Sequence, residues 1–535
     1  MGRLWFGGSV YTMENEGDAV EAVYTENGFI KAVGTYERLY HDFYDKIENE
    51  VNLRGKTMLP GLVDSHMHII GYGEKLLHLD LSQMKSPEEI KEALLNRTAN
   101  LSEGEWLIGE GWNENQWDNP EIISKKELDE ICPDNPMMLT RVCRHALLAN
   151  TKAMDMSYIN DQTPDPQGGI IVRDENGDTT GLFLDTAQEL IKQAMPDVSQ
   201  EFLQQLIKIA VDDLLAKGLV GGHSEDLNYY GGFLKTYNAF LNAINGKDKK
   251  FKAHLLVHHE VMENMINQNL GYLDGTEYIE LGAVKIFSDG ALGGRTAWLT
   301  QEYTDDPDNY GVAIHNTDYL EEIVRSARAH GLPIAVHAIG DQAVDEITKL
   351  IKKYPLQNGA RDRIIHGQIL NDFSLKMLQE LPVVVDIQPA FVSSDFPWAV
   401  DRLGEDRIKS AYAWKTMLDS GVLCAGSSDA PIEDANPLQG IQAAMLRKSY
   451  YDGEVYQPEE RLSLFESVRL YTVGSASAIT QENNRGLIID GYTADFTILE
   501  EDIFQVDPER IHEIEVAMTV VDGDIVYTNN AGYDV

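Results

Sequence analysis

The feature that most narrows what this chain can fold into is a set of eight short apolar runs separated by stretches of helical periodicity. The runs are LPGLVDSH (59–66), LVGGHSE (219–225), FKAHLLVHH (251–259), LGAVKIFSD (281–289), LPIAVHAI (332–339), RIIHGQI (363–369), VVVDIQPAF (383–391) and VLCAGSSD (422–429). Most are near-continuous in aliphatic residues rather than alternating, the pattern of strands covered on both faces in a parallel sheet. The segments between them supply the cover. DYLEEIVRSARAHG places Leu320, Ile323, Val324 and Ala327 on one helical face and stops at Gly331. QAVDEITKLIKKY repeats the device with Val344, Ile347, Leu350 and Ile351. Strands joined by helical crossovers predict an α/β chain built on a (β/α)8 TIM-like barrel.

The two ends read differently. LWFGGSVYTM, AVEAVYTENGFIKAVG, RGLIIDGYTADFTILEE and VAMTVVDGDIVYTN are rich in β-branched and aromatic residues, with turn pairs at Asn27-Gly28 and Asp522-Gly523. Residues 1–58 and 480–535 are therefore expected to form one composite β-sandwich domain, leaving 59–479 for the barrel. Residues 70–205 are too many for a loop and carry signals of their own, such as WLIGEGWNENQW and GGIIVRDENGDTTGLF. They predict a subdomain inserted after strand 1. Barrel active sites lie at the C-terminal strand ends, so this insertion should cover the site.

Charge and cysteine usage exclude several functions. Lys plus Arg number 44 against 87 Asp plus Glu, a formal net charge of −43. Such a surface repels phosphate backbones, and no basic cluster compensates, which argues against nucleic acid as a partner. Cys132, Cys143 and Cys424 form no C-x-x-C pair and leave one over, as expected in a reducing compartment. No apolar run is long enough to span a bilayer, and the first residues lack a signal-peptide pattern. A cytoplasmic chain with no membrane partner is the expectation.

Within the barrel frame the polar residues become informative. His66 and His68 end run 1, Lys285 lies in run 4, His337 in run 5, His366 in run 6 and Asp429 at the end of run 8. Residues i and i+2 of a strand face the same side, so His66 and His68 can converge on one ion. Imidazole nitrogen and carboxylate oxygen suit Zn²⁺ or a similar dication. Each histidine alone reads more readily as a satisfied core group than as a ligand. The set does not, because a barrel interior is normally filled by branched apolar side chains. His223, His254, His258 and His259 in runs 2 and 3 read as structural, and Cys424 as a small buried hydrophobe.

In this order the six positions resemble the binuclear-metal pattern of the amidohydrolase superfamily. VKIFSDGALGGRTA (284–297), AVHAIGDQAV (335–344), RIIHGQ (363–368) and GSSDAPIEDANPLQGI (426–441) resemble its YtcJ-like branch, which includes metal-dependent hydrolases similar to N-substituted formamide deformylase. The likeness spans almost the whole chain. It implies two divalent metal ions, with zinc the expected element. His66, His68 and Asp429 would hold the more buried ion, and His337 and His366 the second. Lys285, carboxylated by CO₂, would bridge them as a carbamate. Electrostatics agrees: an ammonium beside two dications is strongly repelled, and a buried neutral amine can react with CO₂.

The resemblance further implies that Asp429 is the catalytic acid–base beside a metal-activated hydroxide, hydrolysing an amide-type C–N bond of a small molecule. A mononuclear deaminase of the same superfamily is the alternative enzyme, against which Lys285 and AVHAIGD argue. A non-catalytic regulatory member is the other alternative, against which the full set of six argues. Candidate substrate contacts are Asp289 and Arg295 in SDGALGGRTA, His145 in RHALLAN and Trp112 in GEGWNENQW. Asp289 reads equally as a cap, and Trp112 as core. His145 departs from the His-Ser-Ala wording of the branch, although the histidine is kept. A homodimer is the expected assembly.

Overall fold

The computed structural model describes residues 2–529 apart from 100, 103, 115, 116, 118–120, 142–144, 197 and 358, so Cys143 lies outside the described residues. The chain divides into two compact units, Met1–Tyr72 with Gln200–Val535, and Gly73–Ser199.

In the first unit the expected barrel is present. Its strands are β1 (Leu62–Met67), β2 (Leu219–Ser224), β3 (Lys252–His258), β4 (Ile279–Phe287), β5 (Ile334–Ala338), β6 (Asp362–His366), β7 (Val383–Ile387) and β8 (Leu423–Gly426). They follow one another in sequence order, and every neighbouring pair is parallel. The last run differs from its prediction, since β8 stops at Gly426 and Asp429 lies past its end. There the Asp429 N–H donates to His66 O at 2.9 Å and the His68 N–H to Ala430 O at 2.7 Å, joining the end of β1 to the turn after β8.

Helices cover the strands as their periodicity predicts. α1 (Thr317–Ala329) buries Leu320, Ile323, Val324 and Ala327 and is capped by the Asn316 side chain, which accepts from the Tyr319 N–H at 2.9 Å. α2 (Asp341–Lys353) buries Val344, Ile347, Leu350 and Ile351. Among the described residues no helix is long and apolar enough to cross a membrane.

Strands from both ends of the chain share a second sheet. Thr57–Pro60 pairs parallel with Gly2–Tyr11 on one side and antiparallel with Phe496–Leu499 on the other. Its hairpins turn at Asn27-Gly28 (φ +52°, +81°) and Asp522-Gly523 (φ +51°, +77°), where two successive positive φ angles match the twist of the flanking strands. Trp5, Val23, Met58, Phe496 and Met518 fill its core. The second unit has a six-stranded sheet of its own, ordered Gly169–Arg173, Thr179–Asp185, Ala146–Ala149, Met137–Arg141, Leu107–Trp112, Leu79–Asp80.

The barrel interior is more polar than the usual packing of branched side chains. Leu256, Ala283, Ala335 and Ile365 form one small apolar cluster. Elsewhere Arg363 and Asp386 make a buried bidentate pair, with Nε and Nη2 each 2.9 Å from a carboxylate oxygen. His223 and His254 are register neighbours on β2 and β3, with ring centroids 5.1 Å apart.

Two outcomes follow from this interior. Replacing Asp386 with Ala strands the Arg363 charge, and urea unfolding should show a loss of about 3–5 kcal/mol. Burial holds the His223 and His254 imidazoles below the ordinary histidine range. Below pH of about 6.5 the unfolded chain therefore binds more protons than the folded one, so stability should fall as pH drops through that value. The slope should be shallower in His223→Phe, read from urea midpoints across that window.

Candidate metal centre

The seam between β1 and the turn after β8 assembles the first group of side chains. Asp64, buried on β1, accepts from the His66 N–H at 3.0 Å, the Ser428 N–H at 3.0 Å and the Ser428 hydroxyl at 2.6 Å. It thereby pins the turn that carries Asp429, although burial raises its own pKa to about 7. Asp429 adopts φ +55°, which swings its carboxylate back over β1. Its Oδ1 then lies 3.5 Å from His66 Nε2 and 3.4 Å from His68 Nε2. Ligands of one tetrahedral ion with bonds of about 2.0–2.1 Å stand about 3.4 Å apart, so the spacing fits a single dication.

The donors are oriented as ligands. His68 Nδ1 lies 2.7 Å from Glu225 O, which places a ring proton on Nδ1 and turns Nε2, the nitrogen a dication would claim from its proton, toward Asp429. Burial lowers the His68 pKa, but Asp429, Glu225 and Asp226 outweigh it and hold the imidazole at about 9. His66, His68 and Asp429 form a group whose donor atoms could share a metal ion.

A second pair stands beside it. Gln388 donates to Asp386 O and Ser427 Oγ, which turns its Oε1 toward His366 Nδ1 at 2.7 Å. His366 Nδ1 therefore carries its proton, and Nε2 is a bare lone pair. His337 Nε2 faces Gly290 O at 3.3 Å, which leaves Nδ1 bare as well. The two bare nitrogens confront each other at 3.0 Å. Burial holds both rings neutral, His366 at about 4 and His337 well below the ordinary range. Two lone pairs at that separation repel unless a cation lies between or beside them.

Lys285 connects the groups. It is buried on β4, with Nζ 3.1 Å from His66 Nε2 and 4.6 Å from the Phe287 ring centroid. Burial depresses its pKa, with Arg363 adding to that effect and Glu225 and Asp429 opposing it. The His66 and His366 ring centroids are 6.1 Å apart, so all six side chains named from the sequence meet at one end of the barrel.

Of the four candidate substrate contacts, Asp289 and Arg295 lie in the first unit and His145 and Trp112 in the second. Asp289 is buried and accepts from three backbone amides, Ile339 at 3.0 Å, Gly340 at 2.8 Å and Trp298 at 2.9 Å, tying the turn after β4 to the turn after β5. One of its oxygens does lie 3.6 Å from His337 Nε2. Arg295 is paired with Asp305 at 2.8 Å. His145 is exposed in the second unit and faces Asp185 at 2.9 Å. Trp112 lies in that unit's own core with Trp117, Leu128 and Leu139. Cys424 is buried on β8, and burial pushes its thiol pKa up.

Sequence reasoning missed Asp64, Glu225, Gln388 and Ser428. Each lies within two or three residues of a named position or a strand end. Nothing in residue type alone marks them, because they act through backbone atoms or through other side chains.

The amidohydrolase family profile matches residues 49–527. The YtcJ protein of Bacillus subtilis (strain 168) is 48% identical over 529 residues, 98% of this chain and 99% of its own. The N-substituted formamide deformylase of Arthrobacter pascens is 24% identical over 97% of both chains. Among solved structures, a metal-dependent hydrolase from Pyrococcus furiosus superposes with a TM-score of 0.78 at 29% identity, covering 94% of this chain and 99% of that one.

Because Asp64 pins the carboxylate-bearing turn without touching the donor atoms, Asp64→Asn should weaken Zn²⁺ binding about 10–100-fold while the fold persists. Calorimetric titration of metal-stripped protein, alongside circular dichroism, measures both.

Proposed function

The chain belongs to the amidohydrolase family, in its YtcJ-like branch, and is a hydrolase; from that premise we propose that it cleaves the C–N bond of a small amide. The observation that carries the reading is the pair of bare imidazole nitrogens, His337 Nδ1 and His366 Nε2, set 3.0 Å apart beside a His–His–Asp group of ligand spacing. In this reading His66, His68 and Asp429 hold one dication, and His337 and His366 a second. Zinc suits the nitrogen and oxygen donors. Bound there, the pair would polarise a carbonyl and bring the pKa of a water toward neutrality.

The rest falls to the chain's own groups. Lys285, kept neutral by burial, adds through Nζ to CO₂ with loss of one proton, and the resulting carbamate sets negative charge between the two groups of ligands. Asp429 receives the proton of the attacking water and returns it to the leaving amine. Glu225 O, Gln388 and Gly290 O fix the tautomers of His68, His366 and His337, so no ring has to reorient during turnover. An N-substituted formamide is the first substrate class to examine, given the relative of that name.

Zinc-loaded protein offered N-formyl, N-acyl and cyclic amides should release an amine from one class. Asp429→Asn should lower kcat about 10²–10⁴-fold, and His337→Ala should abolish turnover. Activity undiminished in His337→Ala would place the chemistry elsewhere. Carbon-13 NMR after exchange with labelled bicarbonate should show a carbamate signal that disappears in Lys285→Ala.

A further inference from the structure

On the N-terminal side of the metal centre, the barrel interior holds polar atoms that the surrounding fold does not satisfy. His66 Nδ1, Arg363 Nη1, His223 Nδ1 and His254 Nδ1 are all buried without a hydrogen-bond partner among the described residues. Their residues are between 1% and 3% exposed, so bulk solvent does not reach them. Native interiors satisfy such atoms with few exceptions, commonly through internal water.

The four atoms are not scattered. Arg363 donates from Nη2 to Ser65 O, the residue before His66. His223 on β2 lies between the register pairs Gly222–Asp64 and Ser224–Met67, beside Ser65 and His66 of β1, and is itself paired in register with His254 on β3. His223 and His254 then line a cavity at the N-terminal ends of β1, β2 and β3, together with Gly61, Val220 and Lys252. It offers about 30 Å³ of room for the centres of water molecules, and its lining extends to the exposed Glu277. About 10–15 Å³ of such room holds one water.

The chemistry of the lining suits a small occupant that can both donate and accept hydrogen bonds. Arg485 is paired with Glu280 at 2.9 Å and Lys252 with Asp522 at 2.8 Å, so both cations of the lining already have partners, and Glu277 and Asp495 add further acceptors. His254 Nδ1 lies 3.7 Å from Glu280 Oε2, too far for a direct bond but close enough for one water to bond both. His223 Nδ1 is likewise left with no protein group among the described residues to donate to or accept from. Arg363 Nη1 is a donor awaiting an acceptor. Water meets both needs.

We propose that the barrel interior is a water-binding column that runs from the base cavity past His223, His254 and Arg363 to His66. It supplies the metal centre from the N-terminal face while substrate fills the C-terminal mouth. Each hydrolysis consumes one water, whose OH joins the acyl carbon and whose proton leaves on the amine, and the column replaces it. The supply role rests on the proposed hydrolase reading, whereas the binding of water does not.

A high-resolution crystal structure of the metal-loaded protein should show ordered waters within hydrogen-bond distance of all four atoms. A dry column, or the same atoms paired with protein groups, overturns the proposal whatever the activity. His223→Phe keeps a ring of similar volume, and should lose the waters at that position with metal content unchanged. Ala476 also lines the base cavity, so Ala476→Leu narrows it, and with an N-alkyl formamide as probe should lower kcat roughly three-fold or more while KM stays within about two-fold. Unchanged kcat in a variant whose crystal structure shows the column closed would overturn the supply role. Ordered waters in a protein inactive on every amide would sink the substrate reading and leave the column standing.

Discussion

Two backbone hydrogen bonds, Asp429 N–H to His66 O and His68 N–H to Ala430 O, hold the first barrel strand against the turn that follows the last. Along the ladder these segments are as far apart as the sheet allows, since β1 and β8 are its two ends. Without those bonds the paired histidines and the aspartate would occupy opposite edges of an open sheet. Closure of the barrel and assembly of the first ligand group are therefore one event. Asp64 reinforces it by accepting from both sides of the seam at 3.0 Å.

Directional contacts replace bulk packing through much of the interior. A bidentate Arg363–Asp386 pair, a glutamine whose amide is oriented by two acceptors, and imidazoles whose tautomers are set by carbonyls each tolerate one geometry. Apolar side chains would fill the same volume with less at stake. What the polar set adds is orientation: His68, His337 and His366 each have the far ring nitrogen fixed by a named partner, so their near sides converge without further adjustment.

Much of this was legible from residue order. Continuous aliphatic runs with helical spacers are what a doubly covered parallel sheet requires, and the buried faces of α1 and α2 fall on the residues that periodicity selects. The His66–His68 spacing works because a strand alternates. Asp429 was harder to place, because its position depends on a positive φ and a turn beyond β8 rather than on strand periodicity. Glu225 contributes a carbonyl, which every residue owns, so no sequence signal distinguishes it. Trp112 illustrates the opposite limit: a tryptophan in a Gly-rich motif suits a pocket or a core, and only packing against Trp117 and Leu128 shows where it goes.

The terminal sheet has a bearing on how the molecule comes into being. Thr57–Pro60, which leads directly into β1, takes one of its two neighbours from Phe496–Leu499 near the other end of the chain. During ribosomal synthesis the opening strands must therefore wait, with one edge bare, until nearly all of the polypeptide has emerged. Such a nascent chain has reason to depend on chaperones, and a truncation near the C-terminus would expose a sticky edge long before it disturbed any catalytic atom.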